Sequence, residues 1–196
     1  MATPIPLSIR LAVLLLIVSE HSIAYMIPTY LPWMMQDFIQ NFGHLHTPEN
    51  IDSEISYYSG ILEGLHRFMS ILSCFIWGYY SDRIGRQYSL IIVLTGIIIS
   101  SIGLGLTQSY TLAVVFRCIA GLCGGTVPIT KAMLRDVSDD TNIAVLYSYF
   151  GTGHGIAAVL GPLIAGSLAH PFKTFPSLFN YEFFYNYPYF LPQTTQ

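Results

Sequence analysis

Apolar runs long enough to cross a bilayer recur along this chain, and they decide its class. A helix of roughly 20 mostly apolar residues spans the hydrocarbon core. Five such runs stand out, at about 11–35, 58–80, 89–106, 110–130 and 143–169. Only 10% of the 196 residues are charged and mean hydropathy is +0.53, where a soluble domain carries about a quarter charged residues. An all-α, multi-pass integral membrane protein follows, with the lipid bilayer as its first partner. The net charge of -3 gives nucleic acid no basic footprint. Cys74, Cys118 and Cys123 all fall inside apolar runs, where an odd number suits small packing residues better than a disulfide framework. The cysteines and histidines show no metal-ligand spacing, and the chain carries neither a Gly-x-Ser-x-Gly elbow nor a phosphate loop. No cofactor, no metal and no enzymatic activity are expected.

Met1 to Arg10 is a short leader ahead of the first span. A secretory signal is the competing reading, but the segment is long, carries Glu20 in its middle and is followed by further spans. Residues 36–57 form a polar connector without Lys or Arg, Thr107-Gln108-Ser109 a minimal turn, and 131–142 a charged loop. Arg10, Arg83, Arg86, Lys131 and Arg135 fall on one side of the membrane. Basic loops stay inside, so the N-terminus is expected in the cytoplasm. Plasma and vacuolar membranes are not distinguished. The tail 170–196 is dense in Phe, Tyr and Pro, a composition suited to a membrane interface.

Polar groups inside the spans are the candidate machinery, because ionisable residues in hydrocarbon are costly and seldom idle. Glu20 lies near the middle of the first span. Burial of an unpaired carboxylate favours its protonated form, which makes it a candidate for proton coupling or for binding a cation. The competing reading pairs it with Arg67 or Arg117 to hold helices together. His21 reads as a packing histidine. In the second span, Gly60, Glu63, Arg67, Ser70, Cys74 and Gly78 share one helical face. Glu63 precedes Arg67 by one turn, the favourable order for an ion pair; the pair either serves a wet cavity or is neutralised packing. Arg117, Gly121, Gly125 and Pro128 share a face of the fourth span, and Gly121-x-x-x-Gly125 is a helix-packing spacing. In the fifth, Gly151, Gly155, Pro162 and Gly166 lie near one stripe, and Pro162 removes a helix hydrogen bond.

Between the second and third spans, Gly78 to Arg86 reads as a short charged loop joining antiparallel neighbours. Gly85 supplies the backbone freedom of a tight turn, and Asp82, Arg83 and Arg86 are free to pair with one another and with helix ends. Gly78, Ser81, Asp82, Arg83, Gly85 and Arg86, in this order and place, resemble the loop between the second and third helices of major facilitator superfamily transporters. Tyr80 stands where Leu is usual, and Gln87 where a second basic residue is usual. Arg117 with Gly121 and Gly125 resembles that family's fourth-helix motif, whose Arg is implicated in proton transfer. Gly161-Pro162-Leu163-Ile164-Ala165-Gly166 resembles its antiporter signature, with Ala165 in the place of one glycine. The acidic loop ending in Thr141-Asn142 is similar to that of fungal and plant drug:proton antiporters, including the zinc-induced-facilitator-like branch. Ile17 and His21 depart from that branch, which has Arg and Pro there.

The resemblance implies the N-terminal half of a fold built from two halves of about six helices each, with substrate between them near the midplane. The half-bundle covers 11–169, and Tyr187 to Pro192 looks like the entrance to a sixth helix that stops at Gln193 and never forms. The implied function is secondary, proton-coupled transport of a small solute by alternating access. Asp82 and Arg86 would latch the cytoplasmic side against a second half-bundle, supplied by another chain or by a homo-oligomer. The rival is a non-transporting fragment or an interaction partner of another membrane protein.

Overall fold

A computed structural model of the protein describes residues 7–42, 51–136, 138–139, 141–169 and 187–194. The leader up to residue 6, the middle of the first connector, Val137, Asp140 and the tail from 170 to 186 lie outside the described residues. Helices α1 (Leu7–Phe42), α2 (Ile51–Ile84), α3 (Arg86–Leu106), α4 (Tyr110–Leu122), α5 (Thr126–Asp136), α6 (Ile143–Leu168) and α7 (Phe190–Thr194) make up the fold. No strand occurs among the described residues.

Four stretches are long and apolar enough to cross a membrane: Arg10–Gln40, Arg86–Leu106, Tyr110–Asp136 and Ile143–Leu168. Helix α2, at 34 residues, has the length but not the composition, because Asp52, Glu54, Glu63, Arg67, Asp82 and Arg83 dilute its apolar face. The helices overrun the apolar runs at several ends, since a backbone hydrogen-bond ladder continues as long as polar side chains find solvent or partners. Thus α1 extends through Pro28 and Pro32 to Phe42, and Lys131–Asp136, read from sequence as loop, is the end of α5.

Two junctions differ from the sequence reading. The stretch Gly78–Arg86 is not a loop: α2 runs to Ile84 and α3 starts at Arg86, leaving Gly85 alone as the corner. Its φ of +103° is one an L side chain rarely adopts, so one glycine does the work of a loop. The span expected over 110–130 is broken at Cys123-Gly124-Gly125. Pro128 falls in the first turn of α5, where its missing N–H has no intrahelical partner to lose. The orphaned Leu122 carbonyl at the end of α4 accepts from Ser73 Oγ at 2.8 Å and Trp77 Nε1 at 2.9 Å, both on α2.

The main core lies toward the end of the bundle that holds the second half of α1. Met26, Ile27, Tyr30, Leu31, Met34, Met35 and Phe38 pack there with Leu62, Leu104, Ala113, Ala165 and Tyr189. Where the sequence reading ends the chain's helices, a short one forms. A turn at Tyr187 leads into α7, Gln193 Nε2 donates to Tyr30 Oη, and Tyr189 donates to Asp37. Buried polar partners, rather than an apolar run, hold this segment. The first half of α1 packs mainly on α6, and a cavity opens beside it.

Candidate functional site

This cavity, of about 560 Å³, is where the intramembrane polar groups converge. Helix α1 contributes Glu20, His21 and Tyr25; α2 His66 and Arg67; α4 Arg117; α5 Thr126; and α6 His154. Apolar α3 residues Leu94, Ile97, Ile98 and Ile102 line it as well. The lining therefore mixes ionisable and apolar groups, as suits a small amphipathic solute.

Glu63 holds two guanidiniums. Arg67 Nε donates to its Oε1 at 2.9 Å, the one-turn pair read from sequence, and Arg117 Nη2 donates to its Oε2. The partners differ in setting: Arg117 is 3% exposed and Arg67 60%. His66 adds a bond from its Nδ1 to the Arg117 carbonyl at 3.2 Å, fixing the rotation of α4 against α2. Helix spacing reveals the Glu63–Arg67 contact but not the Glu63–Arg117 one, which depends on how two helices face each other.

Glu20 is the contrast. Its Oε1 accepts from Thr126 Oγ1 across the α1–α5 contact, and its Oε2 is buried without a hydrogen-bond partner. The pairing with Arg67 or Arg117 weighed from sequence is not made; among the described residues Glu20 has no ion pair. Both arginines are already engaged by Glu63. Thr126 is a site residue that sequence reasoning missed, and its signal was a hydroxyl directly after the Gly-Gly break.

The glycines fall into two groups. A Cβ on Gly121 would meet the His66 carbonyl at 2.6 Å, one on Gly125 the Trp77 side chain at 2.5 Å, and one on Gly161 the Ser22 carbonyl at 2.9 Å. These admit close helix contacts. Gly60, Gly64 and Gly78 on α2, and Gly151, Gly155 and Gly166 on α6, have nothing within 4 Å. Pro162 sits inside α6 next to the packed Gly161.

At the opposite end of α2 the charged corner is tied to α5. Arg86 lies 3.6 Å from Asp82 and 2.7 Å from Asp136. Arg83 instead stacks over the Tyr79 ring at 4.5 Å, and Ser81 Oγ donates back to the Gly78 carbonyl at 3.2 Å. A shallow cavity of about 480 Å³ is lined by Ser81, Asp82, Gly85, Arg86, Gln87, Met133 and Asp136. Asp136, unremarked in the sequence, is thus the strongest partner of Arg86.

Comparison with known proteins agrees with this architecture. The family profile described as Major Facilitator Superfamily matches residues 12–185. The chain is 34% identical over 175 residues to the major facilitator-type transporter psiT2 of Psilocybe cubensis, covering 89% of this chain and 33% of that protein. It is 34% identical over 141 residues to the efflux pump azaK of Aspergillus niger, covering 72% and 28%. It is 28% identical over 142 residues to the protein ZINC INDUCED FACILITATOR-LIKE 1 of Arabidopsis thaliana, covering 72% and 30%. The chain spans about a third of the length of these curated relatives.

Proposed function

This chain belongs to the major facilitator superfamily, and from that premise we propose that it is the N-terminal half-bundle of a proton-coupled secondary transporter that moves a small solute by alternating access. The observation that carries the reading is Glu20, a half-buried acid on the cavity wall with one hydroxyl partner, one buried bare oxygen and no countercharge among the described residues. Such a group changes charge at modest cost, as a proton-driven cycle requires. Arg117 lines the same cavity but is locked to Glu63. Basic residues at Arg10, Arg83, Arg86, Lys131 and Arg135 support a cytoplasmic N-terminus, and with it a role for the Asp82–Arg86–Asp136 cluster as the cytoplasmic latch. That a relative is named an efflux pump favours export.

Alternating access needs an opposing wall. The open glycine faces of α2 and α6 support a second half-bundle as the partner of this one, because bare backbone admits a helix at close range. The same observation favours the second reading, in which this chain alone does not transport and acts only with a partner. Flux measured in cells expressing the chain decides between them. Under the transport reading, a pH gradient drives solute movement, Glu20→Gln cuts that proton-driven flux about tenfold and Asp82→Asn slows flux, all at unchanged protein abundance. Equal flux in Asp82→Asn and parent would defeat the latch, and no flux in the parent would favour the partner reading.

A further inference from the structure

The contact between α1 and α6 holds an imidazole pair that the reading above leaves unused. His154 Nε2 lies 2.6 Å from Tyr25 Oη. The His154 ring meets that of His21 edge-on, with centroids 4.8 Å apart. All three side chains line the cavity that holds Glu20. We propose that His154, partnered by Tyr25, is a second proton-accepting group of the transport cycle, and that its protonation sets whether the Tyr25 hydroxyl can donate into the cavity. The proposal rests on the proton-coupled reading and extends it to α6.

Hydrogen-bond roles distinguish the two histidines. His21 Nδ1 lies 3.0 Å from the Ile17 carbonyl. A carbonyl only accepts, so Nδ1 of His21 carries the hydrogen and its tautomer is fixed. The partner of His154 is a hydroxyl, which donates or accepts with equal ease. While His154 Nε2 holds a lone pair, the phenol donates to it. A proton delivered by water in the cavity bonds to Nε2; that N–H then donates to Tyr25 Oη, and the phenolic hydrogen turns to an acceptor in the cavity. Release of the proton to water reverses both changes, and no other bond is made or broken. Uptake of a proton is thereby exchanged for a hydrogen-bond donor offered to the solute.

The neighbouring charges direct the proton to His154. Two imidazoles in contact resist being charged together. His21 is 9% exposed whereas His154 is exposed and lines the cavity. From α5, Lys131 Nζ stands 5.1 Å from the centre of the Phe150 ring, which in turn meets His21 edge-on at 5.4 Å. That cation therefore lies on the His21 side of the cluster. On α1 the adjacent acid Glu20 is turned to Thr126. Arg67 from α2 and Arg117 from α4 share the cavity, with Glu63 between them.

Flux followed from about pH 5 to pH 8, the range over which imidazoles change charge, tests the role in transport. The parent should show a step in that range, His154→Gln should lose it, and Tyr25→Phe should keep the step with a displaced midpoint. A step that persists unmoved in His154→Gln overturns the proposal. Nitrogen-15 NMR of histidine-labelled protein in lipid nanodiscs reads protonation without any flux. There His154 should titrate, with a midpoint that moves in Tyr25→Phe. A His154 that keeps one protonation state throughout overturns the proposal whatever the flux shows. A parent without flux but with a titrating, Tyr25-linked His154 sinks the transport reading and leaves the proton site standing.

Discussion

Two carboxylates sit inside this bundle in opposite circumstances. Glu63 is gripped by Arg67 and Arg117, while Glu20 holds a single hydroxyl and leaves one oxygen bare. The first has its charge fixed by its neighbours, because removing it would strand Arg117 at 3% exposure. The second has no countercharge among the described residues. On the proton-coupled reading proposed above, that difference makes Glu20 rather than Glu63 the proton carrier and divides structure and turnover between α2–α4 and α1–α5.

Five substitutions sharpen or break this contrast. Glu63→Gln should be the most damaging to the fold, costing about 3 kcal/mol because it leaves a buried guanidinium unpaired. Thermal melts in detergent would show it, and Glu63→Gln combined with Arg117→Gln should recover part of the loss. An unchanged melt would mean the pair is ornamental. Glu20→Gln keeps the shape and the Thr126 bond, so its melt should match the parent while proton-driven flux falls about tenfold, near 1.4 kcal/mol in the barrier. If its melt fell as far as that of Glu63→Gln, the division of labour would collapse. Thr126→Val removes the one donor to Glu20 and should cost about 1 kcal/mol, the typical worth of such a bond. Arg67→Gln should matter least, below about 1 kcal/mol, since that side chain is 60% exposed and screened.

The glycines allow a parallel check on packing. Gly161→Leu should lower the melt by about 2 kcal/mol through overpacking against Ser22 and Tyr25. Gly155→Leu, whose Cβ would meet nothing within 4 Å, should leave the melt in place. Its effect should appear only in an assay that requires the second half-bundle.

Helices and polar stripes were legible because both follow from periodicity along one strand of backbone. The Glu63–Arg67 pair, the turn-forming role of Gly85 and the close contacts of Gly121 and Gly125 were all visible at that level. The break after Leu122 was not, since Gly121-x-x-x-Gly125 reads equally well as a packing face in an unbroken helix. Nor was the sixth segment, where Gln193 and Tyr189 look too polar to continue a span until Tyr30 and Asp37 are placed opposite them.

By itself the sequence determined that the chain is helical and membrane-embedded, and which residues carry intramembrane charge. Those properties are sums over local composition and short-range spacing, whereas the superfamily was legible only through the resemblance of its motifs. Only the tertiary structure decided that Arg117 serves Glu63 and not Glu20, that Arg86 reaches Asp136, and that Tyr25 meets His154. Such pairings depend on the rotation and depth of one helix against another. Many side chains together set that geometry, and no single spacing along the chain encodes it.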